Sequence, residues 1–284
     1  MVQDVPMEIV SVPTLSLSSG PKIPVLGLGT YPLTDGESER VVEQALAIGY
    51  RLVDTAENYR NEVGVGRGLR AAGVDRSELF VTTKFNAKWH GEDLVARAFE
   101  GSAERLGVDY IDLLLIHWPN PEQNRYVDAW RGLIALREQG LVRAIGVSNF
   151  KPAHLQRLLD ETGVAPDVNQ IQLNPLVSRE ELRSFGARHG VVTESWSPIG
   201  KGGELLEHPA VTGIAERLVR TPAQVVLRWH VQLGLVAIPK TGNPRRLQEN
   251  LNVFDFELEG ADMRALTALD RGEDHAVDSD EFGH

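Results

Sequence analysis

The sequence predicts an α/β fold, a closed (β/α)8 TIM barrel of parallel strands preceded by a β-hairpin, as a single domain over residues 1–284. Three observations carry that prediction. Short apolar runs alternate with longer helical segments along the whole chain, seven of those segments end at a glycine just before the next run, and several runs are almost continuously apolar, as in Ile111-Asp112-Leu113-Leu114-Leu115-Ile116. Such runs suit strands buried on both faces, the situation of a parallel sheet flanked by helices. Eight alternations in one chain favour a closed barrel over an open sheet.

The glycines that end helices are Gly49, Gly73, Gly107, Gly140, Gly163, Gly190 and Gly234. The residue after a helix often takes a positive φ, which costs any residue with a Cβ energy. The predicted strands are Val25–Leu28, Leu52–Asp54, Leu79–Lys84, Ile111–His117, Ala144–Ser148, Val168–Leu173, Val191–Trp196 and Leu235–Pro239. Helix starts are legible as well. Thr221-Pro222-Ala223-Gln224 combines a capping Thr, a Pro at the first helical position and a Gln three residues after the cap, and Asn243-Pro244 opens another helix in the same manner. Within residues 1–24, Val12–Leu17 and Lys22–Pro24 flank Ser18-Ser19-Gly20-Pro21 and predict the hairpin. Residues 271–284 are an acidic tail with Glu273, Asp274, Asp278, Asp280 and Glu281, expected either to cover the barrel mouth or to lie in solvent. No linker or internal repeat divides the chain.

Composition narrows the function. A chain of 284 residues, 42% of them hydrophobic, can bury one large core, and single α/β barrels often run to about 250 residues. The absence of cysteine excludes thiolate zinc sites, disulfides and cysteine nucleophiles, and fits a reducing, cytoplasmic compartment. A formal charge of −11 repels phosphate backbones, so nucleic acid is not an expected partner and any phosphate site must be local. Met1-Val2-Gln3-Asp4 lacks the basic start of a signal peptide, and no long uncharged apolar stretch exists, so no membrane partner is expected.

Asp54, Tyr59, Lys84 and His117 each stand at or just beyond the end of a predicted strand. Side chains at the C-terminal ends of barrel strands face one common mouth, and Ser148, Gln170, Trp196 and Lys240 fall at equivalent places. Any one of these has an ordinary reading, such as a surface lysine or a capping aspartate; their joint placement argues for a site. A phenol with an ordinary pKa of about 10 is a reluctant acid, and a neighbouring ammonium is expected to lower that pKa. Lys84 would supply the ammonium to Tyr59, Asp54 would keep it charged, and His117 would orient a carbonyl oxygen. Such a set protonates a carbonyl and stabilises the developing alkoxide. A dinucleotide fingerprint is absent, because Gly27-Leu28-Gly29 has no third glycine at the required spacing and Gly64-Val65-Gly66-Arg67-Gly68 follows no strand. The histidines lack ligand spacing, so no metal is expected.

Three motifs then carry a resemblance. They are Gly49-Tyr50-Arg51-Leu52-Val53-Asp54-Thr55-Ala56 continuing through Tyr59 to Glu62 and Gly66, Arg143-Ala144-Ile145-Gly146-Val147-Ser148-Asn149-Phe150, and Ile238-Pro239-Lys240-Thr241 with Arg246 and Glu249-Asn250. In this order and spacing the chain resembles the aldo-keto reductases over nearly its whole length, and its prokaryotic, diketogluconate-reductase-like branch in particular. The resemblance implies a (β/α)8 barrel, NADPH, and a catalytic tetrad of Asp54, Tyr59, Lys84 and His117 with Tyr59 as general acid. It implies cofactor contacts from Thr30, Tyr31 and Asp54, and places Ser148, Asn149 and Gln170 at the nicotinamide carboxamide. Trp196 matches a position that stacks on the nicotinamide and is Tyr in most relatives. Ser197, Pro198, Ile199 and Gly200 match the pyrophosphate loop, Lys240, Thr241 and Arg246 the 2′-phosphate site, and Glu249 and Asn250 the adenine contacts. Lys240, Arg245 and Arg246 also form a basic cluster beside a helix start, which suits an anion. The substrate wall would be Tyr31, Tyr59, Trp89, His117 and Trp118, largely aromatic, which favours small aldehydes, ketoaldehydes or dicarbonyls. The protein is expected to act as a monomer. Two other readings stay open at this point: a Schiff-base aldolase using Lys84 as nucleophile, and a nucleotide-sensing module with little turnover.

Overall fold

A computed structural model describes residues 11–283. The expectations for Met1-Val2-Gln3-Asp4, and for His284 of the tail, lie outside these residues. The described chain opens with an antiparallel hairpin, β1 (Thr14–Ser16) and β2 (Lys22–Pro24), in which Leu15 faces Ile23. Eight further strands follow: β3 (Leu28–Gly29), β4 (Leu52–Asp54), β5 (Phe80–Phe85), β6 (Ile111–Ile116), β7 (Val142–Ser148), β8 (Val168–Gln172), β9 (Val192–Trp196) and β10 (Val236–Ala237). They form one parallel sheet in chain order. A parallel bridge between Leu26 and Ala237, with Gly27 N donating to Ala237 O at 2.9 Å and Ala237 N to Val25 O at 3.0 Å, joins the first segment to the last and closes the barrel.

The closing seam is where observed and predicted strands differ most. Val25–Leu28 and Leu235–Pro239 were expected as full strands, yet regular pairing there is confined to β3 and β10. The two glycines of the first segment explain the close approach at the seam. A Cβ on Gly27 would lie 2.4 Å from Leu52 Cγ, and one on Gly29 would lie 2.8 Å from the Ile238 carbonyl oxygen. Elsewhere the expected strands hold within one or two residues.

The helices surround the sheet: α1 (Asp35–Ala47), α2 (Glu62–Ala71), α3 (Val95–Leu106), α4 (Tyr126–Glu138), α5 (Pro152–Thr162), α6 (Glu180–Arg188), α7 (Glu204–Glu207), α8 (Pro209–Leu218), α9 (Pro222–Gln232), α10 (Pro244–Leu251) and α11 (Gly260–Thr267). All seven glycines singled out as helix ends have positive φ, between 65° and 116°. At the start of α9 the Thr221 hydroxyl accepts from Gln224 N at 3.2 Å while Gln224 Oε1 accepts from Thr221 N at 2.9 Å, a reciprocal cap. Asn243 caps α10 by accepting from Arg245 N at 2.9 Å.

Inside the barrel the lower layers are apolar. Leu17 and Ile23 from the hairpin pack with Leu52, Phe80, Leu113 and Val168, so the hairpin plugs the N-terminal end. It is pinned there by Ser18 Oγ donating to Gly190 O at 2.7 Å and Ser19 N to Asp167 Oδ1 at 2.9 Å. With that end filled, access to the interior is left to the opposite end, where β4 to β9 present their last residues.

Candidate active site

Four elements deliver the predicted tetrad to that end. Asp54 closes β4, Tyr59 ends a single 3-10 turn (Glu57–Tyr59) after it, Lys84 is the penultimate residue of β5, and His117 follows β6 directly. Lys84 is fully buried, and its ammonium donates to Asp54 Oδ1 at 2.7 Å, to the Thr55 carbonyl at 2.9 Å and to Tyr59 Oη at 3.3 Å. Three N–H groups thus meet three acceptors, which is what a buried cation requires. Because Tyr59 Oη accepts from Lys84, its own hydrogen is left to donate elsewhere. The His117 ring stands edge-on to the Tyr59 ring at 5.9 Å.

Burial and charge compete at each of these groups. Burial works to lower the Lys84 pKa, but the Asp54 carboxylate and Tyr59 outweigh it and hold the ammonium above the ordinary lysine range. Burial pushes the Asp54 carboxyl up against the pull of Lys84. For Tyr59 the sequence-based expectation of a lowered pKa is corrected: burial of the phenol outweighs the Lys84 ammonium, and the net direction is upward. At rest the group is therefore a protonated phenol, with the ammonium placed to stabilise the anion once the proton has gone.

The residues predicted to hold a cofactor form a second network beside the first. Trp196, at the end of β9, donates its indole N–H to Asn149 Oδ1 at 2.8 Å. Asn149 Nδ2 in turn donates to the His117 carbonyl at 3.1 Å and to Ser148 Oγ at 3.0 Å, and Ser148 Oγ donates to the Gln170 carbonyl at 2.9 Å. The indole N–H thus fixes the amide that joins β7 to the loop after β6. Thr30 Oγ1 donates to the Asp54 carbonyl at 2.9 Å, tying the first strand segment to the tetrad. Asn149 and Ser197 both take positive φ, at 65° and 51°, so the chain turns sharply as it leaves β7 and β9. The turn Ser197–Gly200 is closed by Gly200 N donating to Ser197 O at 3.0 Å.

Lys240, Arg245 and Arg246 expose their charged heads around the start of α10, with Thr241 buried among them and accepting from Asn243 N at 3.1 Å. Arg245 is tied to Glu249 at 2.8 Å, and Asn250 is buried on the inner side of the helix. Tyr31 is 63% exposed with its ring 5.0 Å from that of Tyr59. Trp118 is buried, stacked beside His117 at 6.3 Å, and Phe282 from the tail lies edge-on to it at 4.9 Å. Trp89 is turned differently: its indole N–H donates to Glu57, 3.0 Å from Oε2.

The acidic tail crosses the mouth. Lys151 pairs with Asp278 at 2.6 Å and Asp280 at 2.5 Å, His154 faces Asp280 at 2.9 Å, and Val277 N donates to Gln172 Oε1 at 2.9 Å. The sequence reading also passed over Glu194, which is fully buried on β9 and accepts from Gln170 Nε2 at 3.1 Å, while the same nitrogen donates to Asp54 Oδ2 at 2.7 Å. A signal existed, since Glu194 lies two residues before Trp196 and therefore on the same face of its strand.

Residues 25–271 match the model of the aldo/keto reductase family. The methylglyoxal reductase DkgA of Yersinia pestis is 48% identical over 273 residues, covering 95% of this chain and 98% of that protein. The 2,5-diketo-D-gluconic acid reductase B of a Corynebacterium species is 49% identical over 262 residues, covering 92% of this chain and 95% of that one. Among solved structures, a mutant of Gox0644 in complex with NADPH superposes with a TM-score of 0.92 at 45% identity, covering 96% of this chain and 100% of that one. The chain belongs to the aldo/keto reductase family, enzymes that reduce aldehydes and ketones.

Proposed function

We propose that the protein reduces small aldehydes, ketones or dicarbonyls to alcohols with NADPH as reductant and Tyr59 as general acid. The observation that carries this reading is the Lys84 ammonium shared between Asp54 Oδ1 at 2.7 Å and Tyr59 Oη at 3.3 Å. The donor set fits NADPH: the Trp196 indole, the Ser148 hydroxyl and the Asn149 and Gln170 amides gather at the strand ends. Lys240 and Arg246 place positive charge by the N-terminus of α10 in a protein of net charge −11, which suits a phosphate. The Gox0644 complex with NADPH supports the same cofactor.

When bound, NADPH supplies the hydride for the carbonyl carbon. The chain's own groups handle the proton. Tyr59 gives its hydrogen to the carbonyl oxygen, the phenolate left behind is stabilised by Lys84, and Asp54 keeps Lys84 charged throughout. His117 orients the oxygen. Proton and hydride together convert the carbonyl to an alcohol, and solvent returns the proton to Tyr59. The aromatic wall of Tyr31, Tyr59, His117 and Trp118, with Trp89 at its edge, suits small and weakly charged substrates. The names of the two reductases, methylglyoxal and diketogluconic acid, both point to dicarbonyls. Lack of cysteine supports placing the reaction in the cytoplasm. A Schiff-base aldolase would need a neutral lysine, and Lys84 is held as an ammonium.

The test is NADPH oxidation against a panel of aliphatic, aromatic and dicarbonyl compounds with the wild type and Tyr59→Phe. The variant should lose about 10²–10⁴-fold in turnover while still binding NADPH, as read by fluorescence quenching. Unchanged turnover would remove Tyr59 from the acid role, and no oxidation with any compound would return the chain to a sensing function.

A further inference from the structure

Inside the barrel, one layer beneath the mouth, Asp54 from β4, Lys84 from β5, Gln170 from β8 and Glu194 from β9 meet with almost no access to solvent. The tetrad accounts for Asp54 and Lys84, and Gln170 belongs to the cofactor side; Glu194 is the member without a task. We propose that Glu194 is a positioning residue, which fixes through Gln170 the end of that amide presented to the cofactor and whose charge state tunes the Lys84–Tyr59 proton source. This inference rests on the reading of Tyr59 as general acid.

The first part follows from hydrogen-bond accounting. The Gln170 amide nitrogen has two hydrogens, and they go to Asp54 Oδ2 at 2.7 Å and Glu194 Oε2 at 3.1 Å. Both donors are committed inward, so Oε1 is the atom the amide has left to offer, an acceptor suited to a carboxamide N–H. Removing the Glu194 acceptor frees one hydrogen and allows the amide to turn.

The second part follows from charge. Lys84 is already matched by Asp54, and a second carboxylate in the same dry layer would leave a net negative charge uncompensated. The other Glu194 oxygen, Oε1, is buried without a hydrogen-bond partner among the described residues, which costs less for a neutral acid than for an anion. Burial first, and Asp54 second, push the Glu194 carboxyl up to about 8. The charged groups facing it are Asp54 and Lys84. Its register partners on β8 and β10, Gln170 and Val236, are uncharged. His230 of α9 bonds Ser195 at 3.2 Å and Pro198 O at 3.0 Å, and burial holds it neutral.

At neutral pH Glu194 is thus an uncharged acid. When it ionises on the alkaline side, its charge adds to that of Asp54 around Lys84, weakens the pull of the ammonium on the phenol, and keeps Tyr59 protonated to higher pH. The carboxyl therefore extends reduction toward alkaline pH and delays alcohol oxidation, which needs the phenolate.

The experiment compares wild type, Glu194→Gln and Glu194→Leu in both directions, as profiles of kcat/KM against pH, together with NADPH affinity at mildly acid pH. Glu194→Gln keeps an acceptor for Gln170 but cannot ionise. Its alkaline limb of reduction and its onset of oxidation should both move to lower pH by about half a unit or more. Glu194→Leu should show the same displacement and, in addition, NADPH binding about tenfold weaker than in Glu194→Gln. Should Glu194→Leu fail to fold, the profile of Glu194→Gln decides alone. Limbs that coincide with the wild type overturn the proposal while the reductase reading stands; a wild type without reductase activity, or an active Tyr59→Phe, overturns that reading instead.

Discussion

The lower interior of the barrel, where Leu17, Ile23, Leu52, Phe80, Leu113 and Val168 meet, holds apolar side chains. Nearer the C-terminal ends of the barrel strands, Asp54, Lys84 and Glu194 place three ionisable groups and Gln170 an amide in equally dry surroundings. The lower layer stabilises the fold by removing apolar area from water, at roughly 25 cal/mol per Å². The upper layer has no such return. Its charges have left water, and only the near-complete set of partners around Lys84 offsets that cost. The contrast teaches that one scaffold carries two kinds of interior, one that selects for volume and one that selects for chemistry, a few residues apart along a strand. Mutations should therefore have opposite signatures in the two layers.

The largest effect is expected at the ion pair. Lys84→Met leaves Asp54 buried without its cation, and should cost about 3–5 kcal/mol of stability together with nearly all turnover. Adding Asp54→Asn should recover most of the stability in a denaturant titration and none of the activity; a double variant no more stable than the single one would show that the pair is not what the layer balances. Leu113→Ala, in the apolar layer, should cost about 2–5 kcal/mol as a cavity while kcat/KM of the folded fraction stays near that of the wild type. A collapse of activity there would mean that the two layers are coupled. The smallest effect belongs to the rim. Arg246→Ala should weaken NADPH by about 1.5–3 kcal/mol, the range for a hydrogen bond to a charged group, and NADH hardly at all; equal losses for the two dinucleotides would remove the 2′-phosphate role.

Several features of the two layers are legible in the sequence. The apolar runs of β5 and β6 exposed the parallel sheet because strands covered on both faces carry little polar alternation. Gly107 ends α3 at a φ of 67°, and Thr221 and Gln224 cap α9 reciprocally, because these are local backbone requirements written in adjacent residues. The strand-end positions of Asp54, Lys84 and His117 followed from the barrel rule, and the structure brings Asp54 and Lys84 to 2.7 Å of each other. Other features were out of reach. The orientation of Trp89 is one, because its indole N–H is held by Glu57, 32 positions away in the chain. The tail could have lain in solvent, and its ion pairs to Lys151 join residues 127 and 129 positions apart.

What the chain order determined by itself is therefore whatever depends on neighbours in sequence: the alternation of strand and helix, the caps, the inward parity of each strand, and with them which side chains gather at the mouth. What only the folded protein decided is whatever depends on dielectric and distance. The phenol of Tyr59 lies above its ordinary pKa because burial there outweighs a cation 3.3 Å away, and burial first, with Asp54 from a distant strand second, pushes the Glu194 carboxyl up to about 8. Desolvation is a property of the packed interior as a whole, and no window of sequence contains it.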